Sequence, residues 1–281
     1  MEGKLLKLND KMPARDTLAG SIPMGHTKTP VLARTKIQGF DDFGNLLFET
    51  ENQIVLGGAL FILEKVFGIE SPLYVDYLNN IMGIATDEPV DEVYPRDTVV
   101  TLFGVGTGGC GDSIRSVKDV KFHEREIFDM IPFRVTDEEL TPNEQQKYWF
   151  KKDMDGKTAF YLKRFEQEPE IKVLWKDAEG DEDGSEVESN VHETVRTEPI
   201  ETFVEMVLKI SKKDIREYFE LHGDIEQTRV NSIGLFTGCL RQLPDGTKDF
   251  KQVKLFSKLN IPNEMLTLAK DLTLVYRIYT S

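Results

Sequence analysis

The sequence predicts an α+β fold weighted to β: antiparallel sheets stacked sandwich-like, with about three short helices. Two observations carry this. Short β-branched and aromatic runs, about ten in all, recur between clusters of Gly, Pro, Asn and Asp. Helical spacing is confined to stretches that begin near Ala59, Pro72 and Ile215.

Taken in order, residues 1–32 are polar and broken by Pro13, Gly20, Pro23, Gly25 and Pro30, and read as an extended N-terminal arm. Residues 33–281 read as a single β-rich structural domain, with 137–198 a candidate inserted hairpin region. Val31–Ile37 and Asn45–Thr50 are expected strands, joined by the turn chemistry of Gly39 to Asn45. After Gln53–Leu56, the stretch Ala59–Phe67 is apolar around most of its circumference, which predicts a helix buried between layers and closed by Gly68. Ser71-Pro72 opens a second helix that Gly83 ends, and Thr86–Pro95 is an acidic loop.

Ile127–Val135 contains Pro132 and suits an edge strand. Gln146–Lys152 and Lys157–Phe165 predict a hairpin around Asp153–Gly156, with Trp149 facing the aromatic run of the second strand, and Ile171–Trp175 is another short strand. Within the acidic stretch 177–190, Glu179-x-Asp181-x-Asp183-Gly184 imitates the front of a calcium loop. Glu186 and Asn190 occupy its eighth and twelfth positions, so a solvated hairpin tip is expected instead. Val195–Ile210 is β-rich, and Ser211-x-x-Asp214 is a capping box for a helix bearing Ile215, Tyr218, Phe219 and His222, stopped by Gly223. His222 in that last turn suits a structural role. Asn231–Leu240 and Phe250–Phe256 are strands joined through Pro244-Asp245-Gly246, and alternation from Leu272 to Ile278 predicts a final strand tied into a sheet.

Between these lies the stretch that decides function. Val99–Phe103 runs into Gly104-x-Gly106-x-x-Gly109, the dinucleotide fingerprint letter for letter. Such a site needs an amphipathic helix directly behind the glycines, with a phosphate at its N-terminus. Ile114, Val117, Val120 and Phe122 fit neither the helical nor the strand period. The preferred reading is therefore a strand that ends in a pliable glycine-rich loop where protomers meet, and a nucleotide- or cofactor-binding enzyme is its rival.

Other chemistry is sparse. The chain has 281 residues, 40% hydrophobic and 30% charged, and a formal net charge of −14, which argues against general affinity for nucleic acid or anionic membrane. No apolar run reaches the roughly eighteen residues of a membrane span, and no signal-peptide core is expected. Cys110 and Cys239 make no metal spacing and suit free thiols. Cys110 as a nucleophile stays open, since a histidine distant in sequence can approach it in space. The four histidines are scattered, and His123-Glu124-Arg125-Glu126 lacks the second histidine of a zinc helix. The expectation is a non-enzyme with no catalytic, cofactor-binding or metal residues and no cofactor.

Three groups of residues carry a family resemblance. Gly44–Glu49, Asn52–Gly58 and Leu63–Phe67 resemble the opening of virion structural proteins of large tailed bacteriophages. Phe103–Gly109 followed by Ile131–Arg134 is similar to that group's middle, and Phe256–Lys258, Ile261-Pro262 and Lys270–Leu274 to its closing strand. Thr136–Pro199 is not covered. The resemblance implies a non-enzymatic subunit of the neck, collar or tail, arranged as a homo-oligomeric ring around the DNA channel. Its implied partners are copies of itself and other virion proteins of the head–tail junction or tail, with no specific nucleic-acid binding and no membrane. The place would be the virion, assembled in the host bacterial cytoplasm. An acidic subunit suits a conduit along which DNA must slide. A phage assembly chaperone is the further alternative.

Overall fold

The computed structural model describes residues 32–69, 78–82, 97–111, 116–177, 196–211, 213–223, 228–242, 246, 248–261 and 271–280. The chain opens with β1 (Leu32–Phe40), β2 (Leu46–Thr50), β3 (Gln53–Ile54), α1 (Leu56–Phe67), α2 (Leu78–Ile81) and β4 (Val99–Gly106). Then come β5 (Met130–Ile131), β6 (Arg134–Thr136), α3 (Pro142–Lys147), β7 (Tyr148–Met154), β8 (Lys157–Arg164) and β9 (Glu170–Asp177). The last part holds β10 (Arg196–Ile210), α4 (Arg216–Leu221), β11 (Ser232–Gln242), β12 (Lys248–Lys251), β13 (Leu255–Asn260) and β14 (Leu272–Thr280).

Two antiparallel sheets result, as expected. One has five strands in the order β2-β1-β14-β10-β9. The other has nine, with the path β3-β13-β11-β4-β8-β6, β12 on β11, β5 on β4 and β7 on β8. Period-two alternation turns one face of each towards the other. Leu272, Leu274, Tyr276 and Ile278 from β14 share a core with Phe103 and Val105 from β4 and Ile233 and Leu235 from β11. The nine-stranded sheet is also covered on its far side. Leu102, Leu162 and Phe236 pack there with Leu78, Ile127 and Phe250. Burial on both faces explains why β4 reads as a continuous apolar run rather than an alternating one. Residues from 137–177 serve both sheets: β8 lies beside β4, and β9 beside β10.

Local signals hold in most places. Asp41 Oδ1 accepts from the backbone N–H groups of Phe43 and Asn45 in the β1–β2 turn. Asp155 and Gly156, both left-handed, close the β7–β8 hairpin. Trp149 faces Leu162 across it and meets Phe250 edge-on at 4.8 Å. Pro132 separates two short strands, β5 and β6. β14 is central in its sheet.

Several expectations are corrected. The expected strand 250–256 is two strands, broken where Gln252 takes a left-handed φ of 54°. The helix α3, capped reciprocally by Thr141 and Glu144 with Pro142 behind the cap, adds to the three expected, although Thr-Pro-x-Glu announces it. Helix α1 starts at Leu56 and is not buried between layers. Its glycines press onto β13, where a Cβ at Gly58 would lie 2.1 Å from the Phe256 carbonyl oxygen, and the helix then leaves the sheet. Leu63, Val66 and Phe67 are consequently 40%, 64% and 66% exposed. The start of the second helix at Ser71, the loop 86–95, the N-terminal arm and the calcium-like stretch beyond Asp177 lie outside the described residues.

On the outer face of the five-stranded sheet, Glu205 of β10 takes Lys172 Nζ of β9 at 2.6 Å and Arg277 Nε of β14 at 2.7 Å. Burial alone would raise its pKa, but the bonds from Lys172 and Arg277 outweigh burial and hold it below the ordinary glutamate range. A depressed carboxylate stabilises the fold above its unfolded pKa and loses that contribution as pH falls through the folded one. Glu205→Gln should therefore cost about 1 kcal/mol near neutral pH, and the gap to wild type should close in acid, as read by urea midpoints across pH.

Candidate functional site around the glycine segment

The β-branched run Val99–Phe103 forms the middle of the nine-stranded sheet because both faces accept apolar side chains. Gly104 and Gly106 belong to the strand itself, opposite Gly234 and Ser232 of β11. The chain then turns into a strap, described over 107–111 and 116–129, that comes back across the sheet end. Thr107 N–H donates to Asp129 O at 3.0 Å, and Gly108 N–H to Phe128 O at 3.1 Å. Cys110 and Val117 form an isolated antiparallel bridge.

Three buried side chains, one just before β11 and two on β13, hold the strap. Asn231 accepts from Gly109 N–H through Oδ1 at 2.7 Å and donates through Nδ2 to Cys110 Sγ at 3.0 Å. Asn260 donates to Lys118 O at 2.9 Å while accepting the Ser232 hydroxyl at 2.8 Å. Lys258, fully buried, donates to Glu124 Oε2 at 2.7 Å and stands 4.0 Å from the centre of the Phe128 ring. Burial pulls its pKa down, and the Glu124 carboxylate opposes but does not cancel this. The strap also serves α1, whose N-cap Val55 offers no side-chain cap: Phe122 O accepts from Leu56 N–H at 2.7 Å.

Among the described residues, this geometry favours neither a phosphate cradle nor a pliable backbone at these glycines. A phosphate cradle needs free backbone N–H groups and a helix behind them. Those of Gly108, Gly109 and Gly111 are already given to Phe128 O, Asn231 Oδ1 and Ser116 O, and residues 116–128 contain no helix. The segment is not pliable either. A Cβ at Gly109 would lie 2.2 Å from Asn231 O, and one at Gly108 would lie 2.6 Å from Phe128 Cβ. The glycines are there so that backbone can touch backbone. Gly109→Ala is thus expected to destabilise by about 1–3 kcal/mol in a denaturant melt, because the obstacle is a main-chain carbonyl that cannot rotate away. A neutral outcome would mean the strap is loose.

A second ionic cluster links the sheets. Lys163 of β8 and Asp214, after β10, are both buried, with Nζ 3.0 Å from Oδ2. Lys163 Nζ also donates to Lys209 O at 2.7 Å and lies 3.3 Å from Glu166 Oε1. Tyr148 OH donates to Asp214 Oδ1 at 2.7 Å, and Ser211 N–H to Oδ2 at 2.8 Å. Burial first, then the neighbouring Asp214 charge, pushes the Tyr148 hydroxyl far above the usual tyrosine range. The Ser211–Asp214 box is therefore present, but it closes a turn rather than starting the helix. Asp214 N–H donates back to Ser211 Oγ at 3.3 Å, and α4 begins only after Ile215, held at a left-handed φ of 59°.

Neither cluster was visible as a site in the sequence. Lys258 and Lys163 look like ordinary strand lysines, and Glu124 one acid among many. The weak signal was Lys258, the one charged residue of β13; Lys163, followed by Arg164 in β8, gave none. Elsewhere His222 Nδ1 lies 2.7 Å from Tyr218 O in the last turn of α4, and Cys239 is a buried thiol whose pKa burial raises. Among the described residues no group of three or more His, Cys, Asp or Glu side chains could hold a metal ion, and no helix is long and apolar enough to cross a membrane.

The architecture thus defines a two-sheet antiparallel β protein with an internal ionic clamp at each of two places. No protein-family model, curated protein or solved structure matches the chain.

Proposed function

We propose that the protein is a non-enzymatic structural subunit of a tailed-phage virion, forming a ring around the DNA channel in the neck, collar or tail. One observation carries it beyond the sequence resemblance. The five-stranded sheet ends on β2 and β9, each paired on one side only among the described residues. Soluble monomers blunt such edges with charge or cover. Here β2 opens on exposed Leu46 and Leu47, the turn before it presents Phe43, and β9 carries exposed Ile171. Two different edges of one sheet supply the unlike halves of a head-to-tail contact, which closes into a ring when the rotation per subunit permits. The net charge of −14 suits a channel wall that DNA must pass without adhering.

The test is particle composition together with oligomeric state. Peptide mass spectrometry of purified virions should find the chain at a ring's stoichiometry, of the order of several to a dozen copies per particle. Leu47→Lys on the β2 edge should leave a folded monomer where wild type forms rings. Abundance in infected cells with absence from particles would replace the reading with that of an assembly chaperone. A thermal shift with millimolar NAD or ATP would revive the enzyme reading.

A further inference from the structure

The Lys163 cluster holds more than an ion pair needs, and its layout is that of an amide-forming site. An amine and a carboxyl group are in contact, each nearly sealed from water: Lys163 keeps 3% of its side-chain surface and Asp214 none. A second carboxylate, Glu166, reaches the same Nζ at 3.3 Å and is partly open to solvent. A hydroxyl donor, Tyr148, sits on Asp214 Oδ1, and a backbone donor, Ser211 N–H, on Oδ2. We propose that Lys163 and Asp214 become joined by a covalent isopeptide bond after folding.

The chemistry follows from the contacts. Nζ has a lone pair to attack with only once one of its protons has passed to Asp214 Oδ2, 3.0 Å away. The Nζ lone pair attacks Asp214 Cγ, and the carbonyl electrons move onto Oδ1, where the Tyr148 hydroxyl receives the developing charge. Glu166 takes the proton lost by nitrogen and returns it to Oδ2. The Cγ–Oδ2 bond breaks, water leaves on the Glu166 side, and the carbonyl re-forms. One C–N bond is made, one C–O bond is broken, and ammonium plus carboxylate become amide plus one water. Nothing is oxidised or reduced. The fold supplies the proximity that makes an otherwise slow condensation intramolecular.

The Lys258–Glu124 pair lacks this equipment. The third neighbour of Lys258 is the face of Phe128, which favours the charged ammonium, and Glu126 reaches it through a backbone carbonyl. The bond at Lys163 would tie β8 of the larger sheet to the turn after β10 of the smaller one, across 51 positions of sequence. It would be a staple between layers, and it does not depend on the virion reading.

Intact-mass spectrometry of the purified full chain, fully denatured, decides the matter. The expected mass is short of the sequence mass by one water, and a tryptic digest should give a branched species that joins the Lys163 and Asp214 peptides. Lys163→Arg should restore the full mass. Glu166→Gln, at a partly exposed position that also pairs with Lys147 at 3.5 Å, should leave a fraction of folded chains uncrosslinked, which a purely structural Glu166 would not do. Full sequence mass in wild type after prolonged incubation overturns the proposal. So does a missing water that maps elsewhere, such as a cyclised aspartate. Both outcomes are read on the wild-type chain, so the proposal stands or falls even if a variant does not fold.

Discussion

Lys258→Met in an otherwise unchanged chain is expected to lose about 3–5 kcal/mol of stability in urea, because Glu124 is left as a buried carboxylate with no cation. The double substitution Lys258→Met with Glu124→Leu should recover most of that loss. The ion pair surrendered its hydration to form, and an apolar pair of similar volume against Phe128 has no such cost. If the single variant proved near neutral, the strap would not be clamped at Lys258, and the case against a mobile glycine loop would weaken. A cycle of the two singles and the double measures the coupling directly.

Lys163→Met is expected to cost at least about 3–5 kcal/mol, and here the matching Asp214→Leu should not rescue it. The difference lies in the neighbours. Removing both charges leaves the Tyr148 hydroxyl, the Ser211 N–H and the Lys209 carbonyl without the close partners they have now, whereas the groups released around Lys258 are the N–H of exposed Lys121, bonded to Glu124 at 3.0 Å, and the Glu126 carbonyl at a longer 3.4 Å. Near-full rescue by the double variant would show that these polar groups reach water more easily than their burial indicates. Any covalent bond at Lys163 would enlarge the loss without changing its pattern.

How far the chain can be read depends on the reach of each signal. The β1–β2 and β7–β8 hairpins were legible because Asp41 and the Asp155–Gly156 pair act on residues within four positions of themselves. The same holds for Gly68, whose left-handed φ of 65° ends α1. The burial of α1 was misjudged because circumferential apolarity says only that a helix can be buried. Whether Val66 and Phe67 find cover depends on how far the helix follows β13, and Gly57 and Gly58 dock only its first turn. At Ile215 tertiary structure overrode a local rule: a β-branched residue sits left-handed, its N–H held by Phe133 O at 2.9 Å.

The glycine segment shows the boundary most clearly. Its residue spacing matches a nucleotide fingerprint, and the same spacing serves close backbone packing against Asn231 and Phe128. Only the destinations of the N–H groups distinguish the two: Gly111 bonds nearby Ser116, but Gly108 bonds Phe128 and Gly109 bonds Asn231, 122 positions away.

By itself, then, the sequence determined the β-rich class, the turns, most strand positions and the acidic net charge. Each of these rests on composition or on contacts between near neighbours. The tertiary structure alone decided the two-sheet pairing, the sealing of the glycines and the pairing of Lys258 with Glu124 and of Lys163 with Asp214. The physical reason is that a lysine on a strand keeps its ammonium in water unless another part of the chain covers it, and the covering segments here are 134 and 51 positions distant.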